Sequence, residues 1–236
     1  MSREDSFHPE RLRHSNYVCA PDPRSVSFAV LDDELGDFRP MEVRDNYRAI
    51  AEYKLNDAVP DDIVVHFDTA RNLFVYAWFV YRFYPVAEHQ VLSCLELALR
   101  ERYEKEIPKG AHKRSKIPGL KALLRYAVDK GDVQNEGFKR WAEASERRAQ
   151  TRYEYEKIQE MRDKGLSQID LDFSEVKITD ADRNLGYVQD LIKILPMFRN
   201  NYAHGSKMLH NQVLGTIQLV SEIINQIYRP AEKIAE

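Results

Sequence analysis

From residue 60 onward, apolar side chains return every three or four positions, a period that commits the chain to packed helices. Ile63, Phe67, Ala70, Phe74, Ala77, Tyr81 and Tyr84 share one stripe. A helix is predicted to start after Pro60, with Asp61 and Asp62 at its positive end, and to kink or stop at Pro85. The next carries Leu92, Leu95, Leu99 and Tyr103 on one face, with Glu96 four residues before Arg100. A shorter one is predicted over Leu120 to Val128, ending near Lys130-Gly131. Phe138 to about Arg162 mixes both charge signs densely and predicts a long solvated helix that projects from the body. Ile169, Leu171 and Phe173 alternate with polar residues, which predicts a short extended segment.

Two further helices close the chain. Thr179 is placed to cap the first, whose inner side is Leu185, Val188, Ile192, Leu195 and Phe198, with Pro196 bending its last turn. The last is predicted to run on after Gly205-Ser206, with Val213, Ile217, Val220, Ile224 and Ile227 as its stripe. Antiparallel packing of these elements makes an all-α helical bundle. Residues 1–45, punctuated by Pro9, Pro21, Pro23 and Pro40, are expected to be an irregular N-terminal extension, although Val26 to Leu31 can add a strand; residues 46–236 form the helical domain.

Composition removes several function classes. Thirty-five Lys+Arg against 38 Asp+Glu exclude a basic chain overall, and nine Gly with ten Pro argue against a turn-rich β sandwich. Cys19 and Cys94 are too few for a disulfide framework or a cysteine zinc site, so no metal and no cofactor is expected. Cys94, beside Leu92 and Leu95, reads as a small buried hydrophobe, and His66 and His89 as structural histidines. Neither GxxxxGK[ST] nor GxGxxG occurs. The most apolar run, Leu73 to Tyr81, is far short of the ~20 residues of a membrane helix. A cytoplasmic chain is expected, with no membrane partner.

Between the last two helices stands Phe198-Arg199-Asn200-Asn201-Tyr202-Ala203-His204-Gly205. A guanidinium, amides and an imidazole at a helix N-terminus can bind a phosphate, and imidazole moves protons near neutral pH. Arg3 and His8 repeat the spacing, but only Arg199 is followed at once by Asn and has a Gly directly after its His. His204 and His210, six apart, do not resemble a metal pair. Residues 107–128 hold no acid, and Lys113, Arg114 and Lys116, with Lys109, Lys121 and Arg125, form a block that can neutralise nucleic-acid phosphates.

The sequence Arg199-Asn200-x-x-x-His204-Gly205, between the last two helices, resembles the R-x(4–6)-H motif of HEPN domains. The resemblance covers roughly residues 60–228 and includes the aromatic helix and the stretch Leu95 to Arg100. It implies a HEPN-like bundle of about four main helices. Many members are metal-independent endoribonucleases of toxin–antitoxin, phage-defence and RNA-processing systems; others are silent modules for RNA binding or protein assembly. By resemblance, Arg199 contacts the scissile phosphate, His204 transfers a proton and Asn200 orients them, giving a 2′,3′-cyclic phosphate. The resemblance also implies a homodimer with the motif at its interface, and an antitoxin or defence partner protein. Members modified by such a partner carry a Tyr two residues after the histidine; here that position is Ser206, and the nearest is Tyr202.

Overall fold

A computed structural model gives the fold and describes residues 8–32, 34, 36–107, 118–205 and 207–230. It is mostly helical, as the apolar period requires. The predicted aromatic helix stops earlier than expected, as α2 (Asp61–Tyr76), and the next helix, α3 (Phe83–Tyr103), begins before Pro85; a turn at 77–82 joins them. Pro85 is the third residue of α3, where its missing N–H would have had no intrahelical acceptor. The predicted stripe stays inward across the turn, none of its seven residues being more than 8% exposed.

The two helices are antiparallel. Cys94 of α3 donates its Sγ hydrogen to the Ile63 carbonyl 3.5 Å away near the start of α2, while Phe74 at its end meets Tyr84 edge-on at 5.3 Å. Burial pushes the Cys94 thiol up to about 12, so it is the inert hydrophobe its neighbours predict. Three more helices complete the surroundings of α3: α4 (Leu120–Asp129), α7 (Tyr187–Ala203) and α8 (Leu214–Ile227) all pack on it. Buried side chains therefore occur nearly all round α3, which is the centre of the bundle. Arg199 and Tyr202 of α7 reach Glu96 and Glu88 in reverse order, whereas Thr216 and Tyr228, at the start and end of α8, reach Glu88 and the Ala98 carbonyl in the same order. Directions thus alternate through α2, α3, α7 and α8.

α5 (Lys139–Asp163) is the predicted charged helix. It buries only Trp141, Ser145, Ala149 and Tyr153, each four residues from the last, so a single narrow stripe faces inward. The extended segment predicted near Ile169 to Phe173 forms no strand; a 3-10 turn, Phe173–Glu175, takes its place, and Tyr153 donates to Glu175 at 3.3 Å. Thr179 caps a helix as predicted, but it is the four-residue α6 (Asp180–Arg183), because Asn184 leaves helical geometry (φ −71°, ψ 69°). Thr179 and Asp182 bond each other's backbone N–H groups there, a capping box.

The N-terminal segment is less irregular than expected. Strands β1 (Ala29–Asp32) and β2 (Asp37–Pro40) form an antiparallel hairpin, and α1 (Val43–Ala51) follows. Asp22 anchors this segment to the turn at 77–82. It is fully buried, accepts from Arg24 Nε (2.8 Å) and Nη2 (2.9 Å), and bonds the backbone of Trp78 and Tyr81. A buried carboxylate is tolerable only with such partners.

Candidate functional site

The motif lies on α7, not at the start of the last helix. Arg199 and Asn200 occupy its final turn, His204 is its C-cap, and Gly205 (φ +85°) adopts the left-handed geometry that ends it. This corrects the expectation of a helix N-terminus: the C-terminal end carries partial negative charge and offers phosphate no dipole attraction. The last helix starts only at Leu214, with a loop before it.

Arg199 faces inward. Its Nε lies 2.8 Å from Glu96 Oε2, while Arg100 Nη2 takes Glu96 Oε1 at 2.8 Å, so one carboxylate holds two guanidiniums. The Arg199 contact is an ion pair without hydrogen-bond alignment. Arg199, Asn200, Lys121 and Glu96 line a cavity of about 240 Å³, with Pro196 in its wall. Lys121 belongs to the predicted basic block and, among its described members, lines the motif's cavity. Lys113, Arg114 and Lys116 lie outside the described residues.

His204 points elsewhere. Five residues along a helix turn a side chain by about 140°, and His204 is exposed on the outer stripe with Ile194, Met197 and Asn201. Ile194 is 39% and Met197 51% exposed, unusual for apolar residues on a bundle helix. Within one protomer, then, the motif's guanidinium and imidazole diverge.

A second constellation was not expected. Glu88, 3% exposed, accepts hydrogen bonds from Tyr202 and, at 2.5 Å, from Thr216 Oγ1. His210 Nε2 lies 2.9 Å from the Tyr202 hydroxyl and 3.4 Å from Glu88 Oε2. Tyr202 has one proton and gives it to Glu88, so it accepts from His210 Nε2–H. Burial, then the Glu88 carboxylate, holds the Tyr202 phenol well above the ordinary tyrosine range, which keeps it a donor. The sequence signal was Glu88 itself, an acid on the buried side of α3 between Tyr84 and Leu92. His66 is exposed beside Gln90, and the His89 ring is 6.2 Å from that of Tyr202.

Among the described residues, no helix is long and apolar enough to cross a membrane, and no group of three or more His, Cys, Asp or Glu side chains is placed to hold a metal ion. No family model, no curated protein and no solved structure matches the chain.

Proposed function

We propose that the chain is a HEPN-type, metal-independent endoribonuclease acting as a homodimer. The observation that carries this reading is the cavity in which Arg199, Asn200 and Lys121 meet: two cations and an amide around a space wide enough for a phosphate. Arg199 and Lys121 hold the scissile phosphodiester and offset the charge that grows on it. The 2′-oxygen forms a bond to phosphorus and the P–O5′ bond breaks. The 2′-hydroxyl proton goes to the partner's His204 imidazole, and the departing 5′-oxygen takes a proton from water. Products are a 2′,3′-cyclic phosphate and a 5′-hydroxyl.

Because Arg199 and His204 diverge within one protomer, a complete site takes Arg199 from one protomer and His204 from its partner. The exposed stripe of Ile194 and Met197 leads to His204 and supports a two-fold contact on that face, which sets each His204 beside the partner's motif. Toxin, defence and RNA-processing roles all fit such an enzyme, with an antitoxin or defence protein as partner.

A second reading is a silent HEPN-like module for RNA binding or assembly. It is favoured by the Glu96–Arg199 ion pair, which ties up the motif's guanidinium. One experiment separates the two. Purified protein is incubated with RNA in excess chelator, beside Arg199→Ala and His204→Ala. Loss of an acid–base group typically costs ~10²–10⁴ in rate, so both variants lose cutting while folded and dimeric. Cutting that survives in either variant rejects the assignment; an inactive wild type selects the silent module.

A further inference from the structure

On the other side of Tyr202 from the Arg199 cavity lies a larger one of about 720 Å³, within the ~300–1,000 Å³ typical of small-ligand sites. Its lining has three chemical parts. Phe198, Met208, Leu214 and Leu219 make an apolar wall. Asn201 and Gln212 contribute amides, which can pair with the edge of a planar heterocycle. Arg140, an exposed residue at the rim, contributes a guanidinium that makes no hydrogen bond or ion pair with any described residue. The carboxylate that feels its charge, Glu222, accepts instead from Gln218 (3.0 Å) and the Lys139 backbone (3.4 Å).

Arg140 lies against Gly215: a Cβ there would fall 2.2 Å from its Nη2, so any larger residue would push the guanidinium aside. Beside it, the Leu214 and Gly215 amides, at the head of α8, donate to no backbone carbonyl among the described residues. The cavity's own acid, Glu88, is already taken by Tyr202, Thr216 and His210, so it does not neutralise Arg140. The Tyr202 contact uses His210 Nε2, and Nδ1 is left buried with no hydrogen bond. An exposed cation, two helix-start amides and two side-chain amides beside an apolar wall suit an anion with a planar, hydrogen-bonding body.

We propose that this cavity binds one nucleotide: phosphate on Arg140 and the Gly215 amide, base against Phe198 and Met208 with Asn201 or Gln212 at its edge. Two sources share this chemistry, a free nucleoside monophosphate and a nucleotide of an RNA strand whose neighbouring phosphate reaches Arg199. The identity of the ligand rests on the ribonuclease reading; the binding measurement does not.

The test is calorimetric titration of the full-length protein with AMP, GMP, CMP and UMP, and with a short oligoribonucleotide whose riboses are 2′-O-methylated so that it cannot be cut. Binding of at least one probe is expected, weakened tenfold to a hundredfold by Arg140→Gln, the loss of a charge-assisted contact (roughly 10–100-fold). Gly215→Ala, which displaces the guanidinium and raises helix propensity, should weaken it likewise without lowering the melting temperature. A mononucleotide that binds marks a free-ligand site; binding by the oligonucleotide alone marks an RNA subsite. Arg199→Ala should keep mononucleotide binding, so failed cleavage with binding intact counts against the nuclease alone. No binding by any probe, or equal binding by Arg140→Gln, overturns the proposal.

Discussion

Arg199 is held by Glu96, its Nε 2.8 Å from Oε2, at the point where the last turn of α7 crosses α3. The carboxylate positions the guanidinium and also competes with phosphate for it. Glu96→Gln keeps an acceptor oxygen and removes the charge. RNA should then bind more tightly, with the slope of log K against log salt steeper by about 0.7–0.9 for one more phosphate contact. Filter binding from 50 to 300 mM salt reads this out, and weaker binding would contradict the competition.

The divergence of Arg199 and His204 predicts that each acts with the partner's motif. Arg199→Ala and His204→Ala proteins, each inactive, should complement on mixing. Half of the re-equilibrated dimers would then hold one intact site of two, or roughly a quarter of wild-type cutting in a two-fold dimer. No recovery would place both groups in one protomer. Met197→Glu should give a folded monomer by light scattering, and with it a loss of cutting.

Acid should release the N-terminal segment before the bundle unfolds. Asp45 is held down to about 2, first by hydrogen bonds from the Arg39 guanidinium. Asp22 is raised by burial, but the Arg24 hydrogen bonds outweigh this and leave it below the usual carboxylate range. A lowered folded pKa gives stability that is fully present above the unfolded value of ~3.9 and is lost as pH falls through the folded one. Hydrogen exchange at Asp22 and Tyr81 should therefore accelerate between about pH 4 and 2. Asp22→Ala should accelerate it at neutral pH, by the ~1.5–3 kcal/mol of a charged hydrogen bond. A flat profile, or a change shared by α3, would show that the segment has no separate opening.

Leu99 has no exposure and sits about one turn before the C-terminal end of α3. Leu99→Ala should cost about 2–5 kcal/mol, most of it lost burial and cavity, or about 4–20 °C in melting temperature for a chain of this size. Calorimetry checks it; a drop under about 2 °C would mean that α3 is not the centre of the core.

Much of the bundle was legible because burial writes a period into a helix. The stripe from Ile63 to Tyr84 and that from Val213 to Ile227 are inward as spaced. Boundaries were less so: the stripe continues through a turn at 77–82, and Thr179 caps a helix only four residues long. A periodic pattern records which side faces inward, not whether the axis is continuous. How the N-terminal segment is anchored was illegible for a different reason. Asp22 looks like any loop acid until its acceptors and donors around Tyr81, 59 residues on, are in place.

For the candidate site the division is similar. The sequence alone determined a mostly helical chain with Arg199-Asn200-x-x-x-His204-Gly205 between its last two helices, since that follows from local spacing; that the motif ends the penultimate helix, closed by the left-handed Gly205, came from the structure. Tertiary structure decided which way each group faces: Arg199 inward to Glu96 and Lys121, His204 outward beside Ile194 and Met197. It alone also joined Glu88, Tyr202, His210 and Thr216, and seated Arg140 over Gly215. A hydrogen bond needs partners within a few ångströms, whatever their separation in the chain, and only the packing of α3, α7 and α8 brings these residues together.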